Sequence, residues 1–244
     1  MNSIMVNFWE DFLDLLYPDG INCYFCGEKI AGADRFGVCS DCMGKIAFIG
    51  DKSCMRCGKL LETGELCSGC RSFPYSFDRA ISLCLYDGKV KEWIYAFKYG
   101  NKPYMARPFA RMMAARLKEL EDHSTIRAVV PIPLHVKKQR QRGYNQAHLL
   151  GRILARELKI KQVDALVRKT NTPPLSGLTR LQRMECLEGA FEIKDANLIR
   201  GIKNVLLVDD IYTTGTTTNQ CARVLKNAGC DKVYVLTLAS GINL

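Results

Sequence analysis

No apolar run in this 244-residue sequence approaches 18 residues, so no membrane-spanning helix is expected. The first 20 residues, MNSIMVNFWEDFLDLLYPDG, lack a basic leader and carry Glu10, Asp11 and Asp14, which argues against a secretory signal peptide. Without a sign of export, an oxidising compartment and a disulfide framework are not expected either. There is no G-x-x-x-x-G-K-[ST] loop, which sets aside a P-loop nucleotide triphosphatase. Histidine is scarce, and His123, His135 and His148 stand apart, each reading as a surface or structural residue. No general base is evident.

Cysteine, by contrast, is abundant and ordered. Eight of the 12 fall in residues 23–70 as four C-x-x-C pairs: Cys23/Cys26, Cys39/Cys42, Cys54/Cys57 and Cys67/Cys70. Each pair presents two thiolates from one tight turn, and two such turns complete a tetrahedral zinc site. Gly27 and Gly58 follow the second cysteine of a knuckle, where a positive φ is often required. Two structural zinc ions are expected, all four ligand positions of each being filled. Pairing first with second and third with fourth keeps the loops short, with spacers of 12 and 9 residues; an interleaved pairing stays open. A segment this short has little core of its own and depends on metal to fold. Cys84, Cys186, Cys221 and Cys230 lie singly and read as core or semi-buried residues.

Charge is uneven. The net charge is +10, yet residues 127–184 hold 13 Lys or Arg against 2 Asp or Glu, a surplus of +11. Such a segment fits a phosphate-rich ligand or nucleic acid; the plainer alternative is a solvated basic face.

Hydrophobic periodicity divides the rest. Residues 1–20 read as a short amphipathic helix with Phe8, Phe12, Leu15 and Leu16 on one face, packed on the remainder. A zinc-ribbon module is expected over 21–74 and an α/β domain over 75–244. In the latter, FDRAISLCLY is a strand, and Val90, Trp93, Ile94 and Phe97 have helical spacing. A second helix runs from Pro103 to about Leu120. IRAVVPIPL is a short buried strand, YNQAHLLGRILARELK a helix and VDALVR a strand. KTNTPPLSGLTRLQR has no steady period and reads as a mobile loop. NVLLVDD is a buried strand, TTTNQCARVLKNAG a helix closed by Gly229, and KVYVLTLA the last strand. Alternating strands and helices predict a mainly parallel sheet, with ligands beyond the C-terminal strand ends.

That is where VLLVDDIYTTGTTT sits. A strand-to-helix turn directs free backbone N–H groups and a positive dipole end at whatever lies above it. Thr213, Thr214, Thr216 and Thr217 add hydroxyl donors, and Gly215 allows close approach, which suits a phosphate. Asp209 and Asp210 are poor phosphate ligands but good partners for ribose hydroxyls. A sugar phosphate meets both demands. A phosphoacceptor aspartate would have no use for the hydroxyl-rich turn, and plain Thr capping leaves the acid pair unexplained.

VLLVDDIYTTGTTT resembles the phosphoribosyl pyrophosphate (PRPP) signature of type I phosphoribosyltransferases. The resemblance implies that Asp209 and Asp210 hold the ribose hydroxyls and that Thr213, Thr214, Gly215, Thr216 and Thr217 hold the 5-phosphate. VVPIPLHVKKQRQRGYNQA together with the cysteine-rich N-terminus resembles the ComF family, zinc ribbons fused to a phosphoribosyltransferase-like domain. That likeness covers nearly the whole chain. It places Pro131, Ile132 and Pro133 where transferases carry their pyrophosphate loop. Lys137, Lys138, Arg140 and Arg142 are then candidates to contact pyrophosphate or DNA, with Mg²⁺ on the pyrophosphate. The sequence departs from the family at Leu175, where a glutamine is usual, and at Cys186, where an asparagine is usual; both changes bear on catalysis.

Two functions follow. ComF resemblance implies a cytosolic factor handling single-stranded DNA during natural transformation, in contact with the inner-membrane uptake machinery and open to a peripheral position there. Tyr144 and Tyr104 are then candidates to stack on bases. The alternative is an active phosphoribosyltransferase acting on an unknown amine or nucleobase.

Overall fold

The computed structural model describes residues 21–30, 34–172 and 177–241. The amphipathic segment at 1–20 and Leu175 lie outside the described residues. No helix among the described residues is long and apolar enough to cross a membrane.

Five parallel strands form one sheet in the order β1–β7–β6–β2–β3. They are β1 (Arg79–Leu85), β2 (Ala128–Pro131), β3 (Lys161–Gln162), β6 (Asn204–Tyr212) and β7 (Lys232–Ser240). β6 lies between β7 and β2, and Val205, Leu206, Leu207 and Val208 are all 0% exposed. Strand side chains alternate faces, so both faces of β6 must be covered, which is why its sequence is an unbroken apolar run. Leu206 and Val208 join Trp93, Phe97, Phe109, Leu150 and Leu154. Those come from helices α3 (Gly88–Tyr99), α4 (Ala106–Lys118) and α6 (Gln146–Leu158). Val205 and Leu207 join Cys221, Ala222 and Leu225 of α8 (Thr216–Asn227) on the other face.

Three segments differ from the sequence reading. In VDALVR only β4 (Leu166–Arg168) is strand, and it pairs antiparallel with β5 (Phe191–Ile193) in a separate two-stranded sheet. Residues 136–142 form their own helix α5 (Val136–Arg142), with His135 Nδ1 accepting from the Lys137 N–H and left-handed Gly143 ending it. Within KTNTPPLSGLTRLQR, the last residues enter helix α7 (Arg180–Leu187). Its start is a capping box: the Gln182 N–H donates to Thr179 Oγ1 and the Thr179 N–H to Gln182 Oε1. That local signal outweighs the Pro and Gly residues nearby.

The N-terminal module carries two short helices, α1 (Ser40–Met43) and α2 (Ser68–Ser72), each beginning after a knuckle cysteine. Its first half packs through Phe25, which stacks on Trp93 at 4.2 Å and meets Phe109 at 4.8 Å. Its second half packs on β1: the Ala80 N–H donates to the Arg56 carbonyl at 2.8 Å. A Cβ at Gly58 would stand 2.5 Å from the Ala80 carbonyl oxygen, so glycine is needed there for contact as well as for its φ of +69°.

Candidate functional site

The eight knuckle cysteines form two tetrads, Cys23, Cys26, Cys39 and Cys42, then Cys54, Cys57, Cys67 and Cys70. Pairing is therefore sequential, the arrangement with the shorter loops. Within each tetrad the sulfurs lie within 4.8 Å of one another. Cys26 and Cys39 Sγ are 3.8 Å apart, and Cys57 and Cys67 Sγ 3.7 Å. Four sulfurs at the usual Zn–S length of about 2.3 Å span tetrahedral edges of roughly 3.8 Å, so the donors fit zinc. Backbone N–H groups of Cys39 and Cys67 donate to Cys23 and Cys54 Sγ, each at 3.4 Å. Burial pushes those two thiols up, but the backbone donors outweigh it and leave each at about 7. One ligand per tetrad is thus readily ionised near neutral pH.

A cleft of 750 Å³ opens at the C-terminal ends of β6 and β2. Asp209 and Asp210 lie there, where β6 emerges from the core. Being adjacent on a strand, the two carboxylates lean toward opposite layers. Asp210 Oδ1 meets Lys98 Nζ of α3 at 2.9 Å, with both side chains only 15% exposed. Asp209 lies toward β4 and α8, near Arg168 and Cys221, and feels the charge of Arg168. The Asp210 N–H donates to Asp209 Oδ1 at 2.8 Å. Burial, then the neighbouring Asp210 charge, pushes Asp209 up to about 7 against the pull of that amide and the two cations.

The turn after β6 is built around Gly215, at φ +74°. A Cβ there would fall 2.1 Å from the Tyr212 hydroxyl and 2.9 Å from the Tyr75 ring, so no other residue fits. Gly215 also caps α8 without a side-chain acceptor, which leaves the first-turn N–H groups available to a ligand. Thr213, Thr214, Thr216 and Thr217 line the cleft. Thr214 and Thr216 hydroxyls meet at 2.9 Å, while Thr218 Oγ1 donates to the Gly215 carbonyl. The turn is braced from outside. The Tyr75 hydroxyl donates to the Thr214 carbonyl at 3.0 Å, and the Tyr75 carbonyl accepts from Arg56 of the second cysteine tetrad at 2.6 Å.

The opposite wall is basic. Of the four candidate cations, all of them on α5, Lys138 and Arg142 face the cleft, one helical turn apart, while Lys137 and Arg140 are exposed and outside it. Burial, then the charges of Arg168 and Arg142, lowers Lys138. Ile132 and Pro133 line the cleft; Pro131 is the last residue of β2 and does not. Cys186 is not among the lining residues. Lining residues that gave no sequence signal include Lys98, Tyr99, Arg168 and Arg183. Arg168 is 8% exposed, stacks 5.3 Å over Phe191, and its Nε has no partner. A buried arginine with a spare donor in a cleft is matched to an anion. Arg183 Nη1 of α7 donates to Thr213 Oγ1 at 2.8 Å, tying α7 to the turn after β6.

Tyr144 does not serve as a stacking surface: it is half-buried, its hydroxyl donates to the Phe97 carbonyl, and its ring packs on Phe97 at 5.9 Å. Tyr104 is half-buried against Tyr24 at 6.5 Å. The histidines hold structure, as expected: His123 with the Leu120 carbonyl, His135 as a helix cap, and His148 with Asp164 at 3.2 Å.

Comparison with known proteins agrees with both parts. A family model described as double zinc ribbon domain matches residues 12–71, and one described as phosphoribosyl transferase domain matches residues 145–243. Competence protein F of Haemophilus influenzae is 29% identical over 222 residues, covering 89% of this chain and 96% of that protein. Competence protein ComFC of Streptococcus pneumoniae is 28% identical over 233 residues, covering 89% and 99%. The DNA utilization protein YhgH of Escherichia coli K12 is 26% identical over 222 residues, covering 88% and 95%.

Proposed function

This chain belongs to the ComF family, a double zinc ribbon joined to a phosphoribosyltransferase domain, and from that premise we propose that it is a cytosolic PRPP-binding factor that handles single-stranded DNA during DNA uptake. The relatives named for competence and DNA utilisation support the process. The observation that carries the ligand is the division of one cleft into three chemistries. Asp209 and Asp210 accept hydrogen bonds from ribose hydroxyls. The turn from Thr213 to Thr217 offers hydroxyls and free N–H groups to the 5-phosphate. Lys138, Arg142 and Arg168 face them as the wall for a Mg²⁺-bound pyrophosphate. The exposed Lys137 and Arg140 extend positive charge outward for a nucleic-acid backbone. Calorimetric titration with PRPP and Mg²⁺, set beside an Asp209→Asn/Asp210→Asn double variant, tests the site. Binding at micromolar levels, lost in the variant, supports it; no binding to the wild type removes PRPP from the proposal.

A second reading, transfer of the phosphoribosyl group to an amine or nucleobase, gains support from Asp209. A carboxylate near 7 inside the cleft has the proton affinity of a general base at neutral pH. Acceptor-dependent release of pyrophosphate would support this reading. Absence of release across a panel of nucleobases and amines would end it.

A further inference from the structure

Helix α3 buries Val90, Trp93, Ile94 and Phe97, and the opposite ridge, Lys91, Tyr95 and Tyr99, points outward at i, i+4 spacing. Two aromatic rings on a solvent face carry no packing role, yet Tyr95 is 64% exposed and Tyr99 58%. Their centroids lie 4.9 Å apart, tilted at 47°. Tyr99 is also held in place: the Arg142 guanidinium lies 4.8 Å from its ring centroid and donates to its hydroxyl at 2.9 Å. The other end of that guanidinium donates to Gln146 Oε1 at 3.1 Å. Tyr99 and Arg142 both line the cleft, whereas Tyr95 stands one turn beyond it. The surroundings are cationic. Lys91 is exposed, Lys102 is half-exposed, and the nearby Glu92 is already paired with Lys89 at 2.7 Å.

We propose that Tyr95 and Tyr99, with Arg142 fixing the inner ring, form a stacking platform for unpaired bases of single-stranded DNA at the mouth of the phosphoribosyl cleft. This rests on the reading that the protein handles single-stranded DNA. The chemistry selects such a strand. Aromatic faces accept any base, the flanking lysines and arginine attract its phosphates, and a duplex would keep its bases out of reach. A free nucleobase would use Tyr99 alone. The second ring, about 6 Å further along the helix axis, implies a ligand carrying more than one base. The platform also supplies what Tyr104 and Tyr144, half-buried and committed to internal contacts, cannot.

The test uses the zinc-loaded full chain and a fluorescent oligothymidylate at low ionic strength, with anisotropy as readout. Tyr95→Ala/Tyr99→Ala is expected to weaken binding by roughly 30-fold or more, since two stacked bases lose their aromatic partners. The slope of log K against log salt should stay as in the wild type, because no charge is removed. An abasic strand of equal length should bind the wild type about as weakly as thymidylate binds the variant. Trp at both positions should retain binding. Zinc content and the melting temperature confirm folding; if the double variant is damaged, Tyr95→Ala and the abasic strand on wild-type protein carry the test. Equal affinity of variant and wild type for thymidylate, or equal affinity of wild type for thymidylate and the abasic strand, overturns the platform. A variant that also loses salt dependence overturns it too, since its effect is then not stacking. Absence of any strand binding by the wild type removes the DNA reading itself, an outcome distinct from the others.

Discussion

Replacing Asp209 with Asn should stabilise the fold while weakening the ligand site. The carboxylate is pushed from an ordinary 3.8 to about 7, by burial first and by the Asp210 charge second. The folded protein therefore holds a proton that the unfolded chain releases between those values. Stability should fall as pH rises from about 4 to 7, and the cost is fully present above 7. Each unit is worth about 1.4 kcal/mol, so the whole separation amounts to roughly 4 kcal/mol. Part of the side chain is open to the cleft, and solvent screening should cut this to about 2 kcal/mol. Asn keeps the shape and still accepts from the Asp210 N–H. Urea unfolding of zinc-loaded wild type and Asp209→Asn at pH 5 and pH 8.5 measures the effect. The variant should be more stable by about 2 kcal/mol at pH 8.5, and the gap should shrink at pH 5. PRPP affinity should fall by roughly 10-fold or more in the variant, because a charged acceptor to a ribose hydroxyl is lost. In the wild type it should weaken as pH drops below 7. A variant less stable at both pH values would refute the claim that Asp209 is a carboxylate held for function against the fold.

Other consequences can be checked with similar means. Gly215→Ala should destabilise the protein by about 2 kcal/mol or more and abolish PRPP binding, since its Cβ collides with Tyr212 and its φ is left-handed; thermal melting and calorimetry read both. Cys54→Ser should weaken PRPP binding more than Cys23→Ser does, because only the second tetrad braces the turn through Arg56 and Tyr75, and equal effects would count against that brace. Metal analysis should return two zinc ions per chain, and a strong chelator should collapse the cysteine-rich module, seen as loss of tertiary circular dichroism. Lys98→Met should cost about 1–3 kcal/mol of stability by leaving Asp210 unpaired in a largely buried pocket, measured at pH 7 by urea unfolding.

Much of this molecule is written in spacing. Four C-x-x-C pairs determine two tetrahedral sites wherever the chain goes, because each knuckle is complete within four residues. An apolar run ending in two acids and a Thr-Gly-Thr turn determines a buried strand whose C-terminal end opens onto a hydroxyl-rich turn and a helix N-terminus, since backbone geometry links them locally. The capping box at Thr179 was also local, and it was masked only by the Pro and Gly residues beside it. The opposite wall of the cleft was not local. Lys98, Arg168 and Arg183 come from α3, the antiparallel strand β4 and α7, which share no period or motif with Asp210 and Thr213. A lysine in the last turn of an amphipathic helix is unremarkable until a strand more than a hundred residues later sets a carboxylate 2.9 Å from it. The choice among aromatics was decided in the same way. Tyr104 and Tyr144 turn into the protein while Tyr95 and Tyr99 stay in solvent, because the helix face that meets the sheet is fixed by which apolar residues the core has room to bury.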